Sequence, residues 1–159
     1  DTFFFSKIYK NVIGIDSSNK VIEKNISNKI EKNLKFINDD LSNPHNLELL
    51  IKEELINTNL NIFYGRFFLH AVDENIENIF LNLFKNTNLK NNLLALEFRT
   101  SKDEFLKKEF DNHYRRYINT VNFKKKLENL NLNIEYFIEG QGYAKFKNDD
   151  AYVARVIAS

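Results

Sequence analysis

The sequence has no cysteine, methionine or tryptophan, and it has only one proline and four glycines among its 159 residues. Without cysteine there is no disulfide bridge, no thiolate zinc site and no cysteine nucleophile. The three histidines are far apart along the chain and do not form a metal-binding pattern. The composition therefore excludes thiol chemistry and predicts no bound metal.

A large excess of one charge and a long hydrophobic run are also missing. The chain carries 23 basic and 22 acidic residues, so no net charge attracts it to nucleic acid or to an anionic membrane. No stretch approaches the roughly eighteen apolar residues of a membrane span, and the first residues do not have the pattern of a signal peptide. We expect a cytoplasmic protein that binds neither nucleic acid nor membranes.

The length and the hydrophobic content suit one globular domain. At 159 residues with 43% hydrophobic side chains, the chain can close one core, and fifteen phenylalanines and seven tyrosines supply its bulk. We predict a single domain over residues 1–159. Because the sequence begins Asp-Thr-Phe-Phe-Phe and contains no methionine, we also expect it to be a piece of a longer product.

Short apolar runs alternate with helical patterns, which is typical of a parallel sheet covered by helices. A strand is predicted over 12–16, a helix over about 19–32 and a second strand over 34–37. Farther along, the pattern predicts a helix opened by Pro44, a strand over 60–64, a helix over 74–84, a strand over 93–99, a helix or ordered loop over 101–111, and a helix capped by Asn119 or Thr120. The last two strands, 134–146 and 152–158, predict an antiparallel hairpin.

Carboxylates close the first two predicted strands. Ligands of open α/β sheets bind at the carboxyl ends of the strands, where Asp16 could accept both hydroxyls of a ribose. One strand later, Asp40 could accept from an adenine amino group, with the Leu41 backbone near the ring edge. These positions predict an adenosine site. The alternative is that both are turn or capping residues, and Asp39 is either a solvated neighbour or the residue meant in place of Asp40.

Two segments carry a family pattern: Val-Ile-Gly-Ile-Asp-Ser-Ser at 12–18 and Phe-Ile-Asn-Asp-Asp-Leu at 36–41. The pattern resembles the class I (Rossmann-like) S-adenosylmethionine-dependent methyltransferases, and the match continues through 63–71. The resemblance implies a three-layer α/β/α sandwich, mostly parallel, with an antiparallel C-terminal hairpin. Residues 1–6 would then be the helix after a first strand and a glycine-rich loop that this sequence lacks. The cofactor implied is S-adenosylmethionine, contacted by Asp16, Ser17, Asp40, Leu41, Tyr64 and Gly65.

The activity implied is methyl transfer to a small polar acceptor, through oxygen or nitrogen. Transfer from a sulfonium is an in-line displacement, so the protein mainly positions the reactants and needs a base only where the acceptor must lose a proton. Candidate bases are His70, Glu97 and His113. For His70 the alternative is a buried, hydrogen-bonded structural histidine.

Arginines indicate the charge of the acceptor. Arg66, Arg99, Arg115 and Arg116 supply planar two-point donors for a carboxylate or phosphate, which predicts an anionic or sugar-linked acceptor, such as an intermediate of surface-polysaccharide assembly. Alternatively, Arg66 pairs with Glu97, and the run 113–117 is a solvated basic turn. The glycines at 139–143 lack the helix and lysine of a phosphate loop and predict a bulge in the last hairpin instead.

Two other functions stay open. A nicotinamide-dependent dehydrogenase also presents an acid to a ribose after its second strand, but an antiparallel last strand pair favours the methyltransferase. The other is a noncatalytic Rossmann-like binding fragment. The sequence does not determine the oligomeric state.

Overall fold

A computed structural model of the chain describes residues 1–55, 59–87, 91–109 and 114–159. Two compact units are present, Asp1–Leu47 and Glu48–Ser159. Within the described residues, no helix combines the length and the apolar character needed to cross a membrane.

The first unit is built on two parallel strands. Its elements are α1 (Thr2–Phe5), β1 (Val12–Asp16), α2 (Asn19–Ser27) and β2 (Leu34–Asn38), and α3 (His45–Leu55) begins in it. In the β1–β2 pair, Asp16 lies opposite Asn38. Gly14 permits close packing here, because a Cβ at this position would lie 2.8 Å from the Phe36 ring. The parallel register places the carboxyl ends of both strands at one edge.

The second unit contains a mixed four-stranded sheet. Its regular elements are β3 (Asn61–Arg66), α4 (Glu74–Asn86), β4 (Asn92–Arg99), α5 (Thr120–Asn129), β5 (Ile134–Gly140), β6 (Lys145–Phe146), β7 (Asp149–Asp150) and β8 (Val153–Ala158). The strand order is β3-β4-β8-β5, in which β3 and β4 are parallel and β8 runs antiparallel to both of its neighbours. The strands β6 and β7 form a small separate hairpin.

One face of this sheet holds the core. Alternate residues of β4 and β8 point to the same side, and α4 and α5 cover them because their apolar faces follow helical spacing. The buried cluster includes Leu81, Phe84, Leu94, Leu96, Phe98, Phe123, Leu127, Ala154, Val156 and Ala158. The rings of Phe98 and Phe123 meet edge to face at 4.8 Å. Asn119 caps the start of helix α5, because its side chain accepts the Asn122 N–H at 3.0 Å, and it is one of the two predicted caps.

The order of strands and helices predicted from the sequence is confirmed, and the last strand is antiparallel as expected. The largest differences are in the end of one helix, the end of one strand and the position of the bulge. Helix α2 ends at Ser27 instead of about residue 32, and the penultimate strand ends at Gly140 instead of residue 146. The ladder stops there because Gly142 takes a left-handed conformation (φ 85°) and donates its N–H to Asp150. The bulge lies between Ile134 and Tyr136 and not at 139–143.

Replacing Phe98 with alanine is expected to lower the free energy of unfolding by about 3–5 kcal/mol, because the side chain is fully buried and leaves a cavity. Urea unfolding followed by circular dichroism measures the change. The matched control is Phe105→Ala at a side chain that is 93% exposed, which should change stability by less than about 0.5 kcal/mol. Equal losses in both variants would contradict the position of the core.

Candidate active site

In the first unit, Asp16 ends β1 with an exposed carboxylate. Its Oδ1 accepts the Ser18 N–H at 2.8 Å, and its carbonyl oxygen accepts from the Asn38 side chain at 3.1 Å and from the Asp39 N–H at 3.3 Å. Ser17 is exposed beside it, and Ser18 caps α2. The bonds fix the direction of the carboxylate at the end of the strand. Asp16 thus forms a turn and still presents an accessible acid.

The acids after β2 lie at the same edge. Asp39 accepts the Asp40 N–H at 2.8 Å, and Asp40 accepts the Ser42 N–H at 2.9 Å. Asp40 is exposed and Leu41 is half-buried. The structure therefore brings the predicted adenosine-binding residues of the first unit together, and each acid also has the turn-forming contact that was its alternative interpretation.

In the second unit, β3 supplies Tyr64 and Gly65, the two other residues predicted to contact the cofactor. Tyr64 is 41% exposed, and burial of the rest of the ring raises the pKa of its hydroxyl. Gly65 is buried, and a Cβ there would lie 3.0 Å from the Leu96 side chain. The close approach of β3 to β4 explains why glycine occupies this position.

A row of charges crosses the sheet at the carboxyl ends of β3 and β4. Arg66 donates from Nε to Glu97 Oε1 at 2.9 Å, and Arg155 donates from Nε to Oε2 at 2.7 Å. The three residues lie opposite one another in the strand register, so their side chains share one face. The alternative that Arg66 pairs with Glu97 is confirmed. Both oxygens of Glu97 accept from arginine, so this candidate base also links three strands.

Arg99, at the end of β4, is 9% exposed and forms ion pairs with two acidic residues. Its Nη1 donates to Asp103 and its Nη2 to Asp149, each at 2.7 Å, and Asp103 also accepts the Tyr152 N–H at 2.7 Å. Burial alone would raise the pKa of Asp149, but hydrogen bonds from Arg99 and the Glu109 N–H outweigh it and lower that pKa. The fork of Arg99 is thus used within the protein.

Arg116 is engaged in a similar way. It donates from Nε to the Val72 carbonyl and from Nη2 to the Leu69 carbonyl, each at 3.0 Å, and it pairs with Glu77. Glu77 is 1% exposed and also pairs with Lys126. These bonds join α4 and α5 to the segment between them. A substrate role for Arg116 stays a prediction, and the contacts favour a structural one.

His70 lies in a short 3₁₀ turn, Leu69–Ala71, just beyond β3. It is 8% exposed, and its Nδ1 accepts the backbone N–H of Arg99 at 3.3 Å. Burial, followed by the charges of Arg99 and Arg115, lowers the pKa of the imidazole to about 4. The ring is therefore neutral at pH 7, and its surroundings match the alternative of a buried, hydrogen-bonded histidine.

Sequence reasoning missed Phe67, which follows β3. This residue adopts a left-handed conformation (φ 57°), unusual for a bulky side chain, and its N–H donates to the Glu97 carbonyl at 2.8 Å. The guanidinium groups of Arg66 and Arg99 lie 5.1 and 5.9 Å from its ring centroid, and the ring of His70 meets its edge at 5.2 Å. No sequence pattern indicates such a conformation. Arg155 was also missed, although strand alternation places it on the face of Glu97.

One candidate base, His113, lies outside the described residues. In the part of the chain that the structure covers, no three or more histidine, aspartate or glutamate side chains group as metal ligands.

Comparison with known proteins identifies the fold. No protein-family model and no curated sequence matches the chain. Among solved structures, it is similar to an S-adenosylmethionine-dependent methyltransferase from Anabaena variabilis (TM-score 0.72, 16% identity, 98% of this chain and 70% of that one). It is also similar to the glycopeptide N-methyltransferase MtfA complexed with S-adenosylmethionine (TM-score 0.67, 11% identity, 99% of this chain and 75% of that one). A third similar structure is a methyltransferase from Methanosarcina mazei (TM-score 0.62, 14% identity, 98% of this chain and 84% of that one).

The chain therefore has the Rossmann-like α/β fold of class I S-adenosylmethionine-dependent methyltransferases. The fold class predicted from the sequence is confirmed, and so is the resemblance on which it rested. The strand β8, inserted antiparallel between β4 and β5, is the feature expected to separate this class from a nicotinamide-dependent dehydrogenase.

Replacing Arg99 with methionine is expected to lower the free energy of unfolding by about 3–5 kcal/mol, because Asp103 and Asp149 would stay buried without their shared guanidinium. Urea unfolding measures this change in the free energy of unfolding. The control Lys147→Met removes an ion pair to Glu109 from a side chain that is 57% exposed, and should cost less than about 1 kcal/mol. If Arg99→Met is as mild as the control, the buried network contributes little to stability.

Because the pKa of His70 is low in the folded protein, the free energy of unfolding should fall as the pH is lowered. Unfolding returns the imidazole pKa to about 6.5, so between pH 6.5 and 4 the unfolded chain binds the extra proton and the native state loses stability. The contribution of His70 is complete above pH 6.5 and should fall by about 3 kcal/mol by pH 4. Unfolding of wild type and of His70→Asn at pH 7 and pH 4 isolates it, since asparagine does not titrate. Equal pH dependence in both proteins would refute the assignment.

Proposed function

We propose that this chain binds S-adenosylmethionine and transfers its methyl group to a small polar acceptor through oxygen or nitrogen. The observation that carries the proposal is the exposed carboxylate of Asp16 at the carboxyl end of β1, in a chain with the fold of class I methyltransferases. A protein of similar fold, the glycopeptide N-methyltransferase, was solved with this cofactor bound, which supports the same cofactor here.

The residues at the ends of the strands suit an adenosine. A carboxylate has two oxygens that match the two hydroxyls of a ribose, and Asp16 is accessible while the Ser18 N–H fixes its direction. Asp40 and the Leu41 backbone are proposed for the adenine. Cofactor contacts by Ser17 in the first unit, and by Tyr64 and Gly65 in the second, stay predictions from the sequence.

When bound, S-adenosylmethionine supplies a sulfonium methyl that is already activated for displacement. The protein then has to orient the acceptor and, for a protonated acceptor, receive one proton. Candidates for that proton are His70, Glu97 and His113. At pH 7 a neutral His70 has its Nδ1 occupied, and Glu97 is held by two arginines, so the described candidates favour an acceptor that is already deprotonated.

The acceptor is proposed to be anionic or sugar-linked. The proposal is supported by Arg66 and Arg99, which end β3 and β4 and both lie beside the ring of Phe67, and by Arg115, whose charge lowers the pKa of His70. Surface-polysaccharide assembly and a cytoplasmic location remain predictions. The alternative, a noncatalytic Rossmann-like fragment, predicts no adenosine binding at all, and calorimetric titration with S-adenosylmethionine tests it.

Replacing Asp16 with asparagine should weaken S-adenosylmethionine binding by about 1.5–3 kcal/mol, roughly 10- to 150-fold in Kd, because charge-assisted hydrogen bonds to the ribose are lost. Isothermal titration calorimetry measures the affinity.

The matched control is Glu23→Gln, another exposed acid of the first unit that lies on α2 and contacts Asn19. Its affinity for the cofactor should equal that of the wild type. An unchanged Kd in Asp16→Asn would remove Asp16 from the site, and no heat of binding in the wild type would refute the methyltransferase proposal itself.

A further inference from the structure

The hydrogen bond at Nδ1 fixes the tautomer of His70. Because Nδ1 accepts the Arg99 N–H at 3.3 Å, it carries no proton, and the proton of the neutral ring lies on Nε2. The depressed pKa, about 4, keeps the ring in this form throughout the neutral range. His70 therefore offers a fixed N–H donor from Nε2 and has no vacant nitrogen lone pair with which to act as a base.

No acceptor for this Nε2–H is present among the described residues. The side-chain atoms of this part of the chain that are sealed from solvent without a partner are Thr100 Oγ1, Glu139 Oε1 and Asp149 Oδ1. Nε2 of His70 does not belong to that group, so it reaches solvent although the residue is 92% buried, as its 8% exposure shows. A donor held this rigidly, with one open direction, is suited to bind an oxygen of a ligand.

The charge around the imidazole selects the kind of oxygen. Arg99, Arg115 and Arg116 all act on His70 as positive charges, and Asp103 opposes them. Bonds to buried acids keep Arg99 and Arg116 in place and balance part of their charge. The balance at His70 is still positive, because three arginines lower the pKa of the imidazole and only Asp103 raises it. A negatively charged oxygen is favoured in this environment over a cation or an amine.

We propose that His70 donates the hydrogen bond from Nε2 to a carboxylate or phosphate oxygen of the acceptor substrate, and so binds and orients the acceptor instead of removing its proton. The inference rests on the proposed function, because that function supplies the acceptor. Arg115 adds to the attraction by charge, whatever its own contacts.

The tautomer can be observed directly in the free protein. In protein with ¹⁵N-labelled histidine at pH 7, the two-bond proton–nitrogen spectrum should show His70 with a bare Nδ1 and a protonated Nε2. An imidazolium at pH 7, or the tautomer with the proton on Nδ1, would overturn the proposal before any ligand is added.

Binding is tested with inorganic phosphate and with acetate as probes, against sodium chloride at equal ionic strength. The Nε2–H resonance of His70 should shift saturably with phosphate or acetate but not with chloride, and the stronger probe identifies the preferred oxyanion. No saturable shift with either oxyanion would refute the site.

Two substitutions separate donation from a structural role. His70→Gln places an amide N–H near the position of Nε2, whereas His70→Asn keeps an oxygen for the Arg99 N–H and has nothing at Nε2. We expect phosphate affinity within about threefold of wild type in the glutamine variant and a loss of roughly 10- to 100-fold in the asparagine variant. Wild-type affinity in His70→Asn would contradict the proposal, since a structural role predicts that asparagine is the better replacement.

His45→Gln is the matched control, because His45 is exposed at the start of α3 and should leave phosphate binding unchanged. Calorimetry with S-adenosylmethionine on the same proteins separates the two hypotheses. Cofactor binding without an oxyanion effect at His70 refutes only this inference. An oxyanion effect without cofactor binding refutes the methyltransferase proposal and with it the identity of the oxyanion as the acceptor.

Discussion

The buried ion pairs of Arg99 with Asp103 and Asp149 constrain the positions of the elements at the carboxyl end of β4 in the four-stranded sheet, and other contacts there depend on them. Taking charges out of water costs several kcal/mol per ion, and each guanidinium hydrogen bond offsets part of that cost only while the geometry holds. The three residues come from β4, the turn after it and β7, so these elements have to keep their mutual positions.

Other contacts extend the same constraint. The carboxylate of Asp103 accepts from the Tyr152 backbone and also pairs with Lys108. Asp149 accepts the Glu109 N–H, which ties the loop after β4 to the small hairpin. The backbone N–H of Arg99 orients His70. One arginine thus connects the fold to the side chain that we propose for acceptor binding.

Such a network restricts what the arginines can do. Arg99 and Arg116 provide positive charge at fixed positions, but their two-point forks are taken by protein groups. Their effect on the acceptor that we propose would therefore be electrostatic, acting through the local potential, and His70 would donate the direct hydrogen bond. In the acceptor site that we propose, Arg99 and Arg116 would thus favour an anion without offering it their own forks.

The sequence by itself determined the order of elements and the acids at the strand ends, because hydrophobic periodicity and short-range turn contacts are encoded locally. Asp16 and Asp40 both form the turns that their neighbours predict. The tertiary structure alone decided the partners of the arginines, since Arg99 meets Asp149 fifty residues away and Arg116 meets Glu77 thirty-nine residues away. Local spacing does not favour one distant acid over another, so only tertiary packing could decide which arginines form ion pairs within the fold. The same packing leaves the Nε2–H of His70 without an acceptor among the described residues.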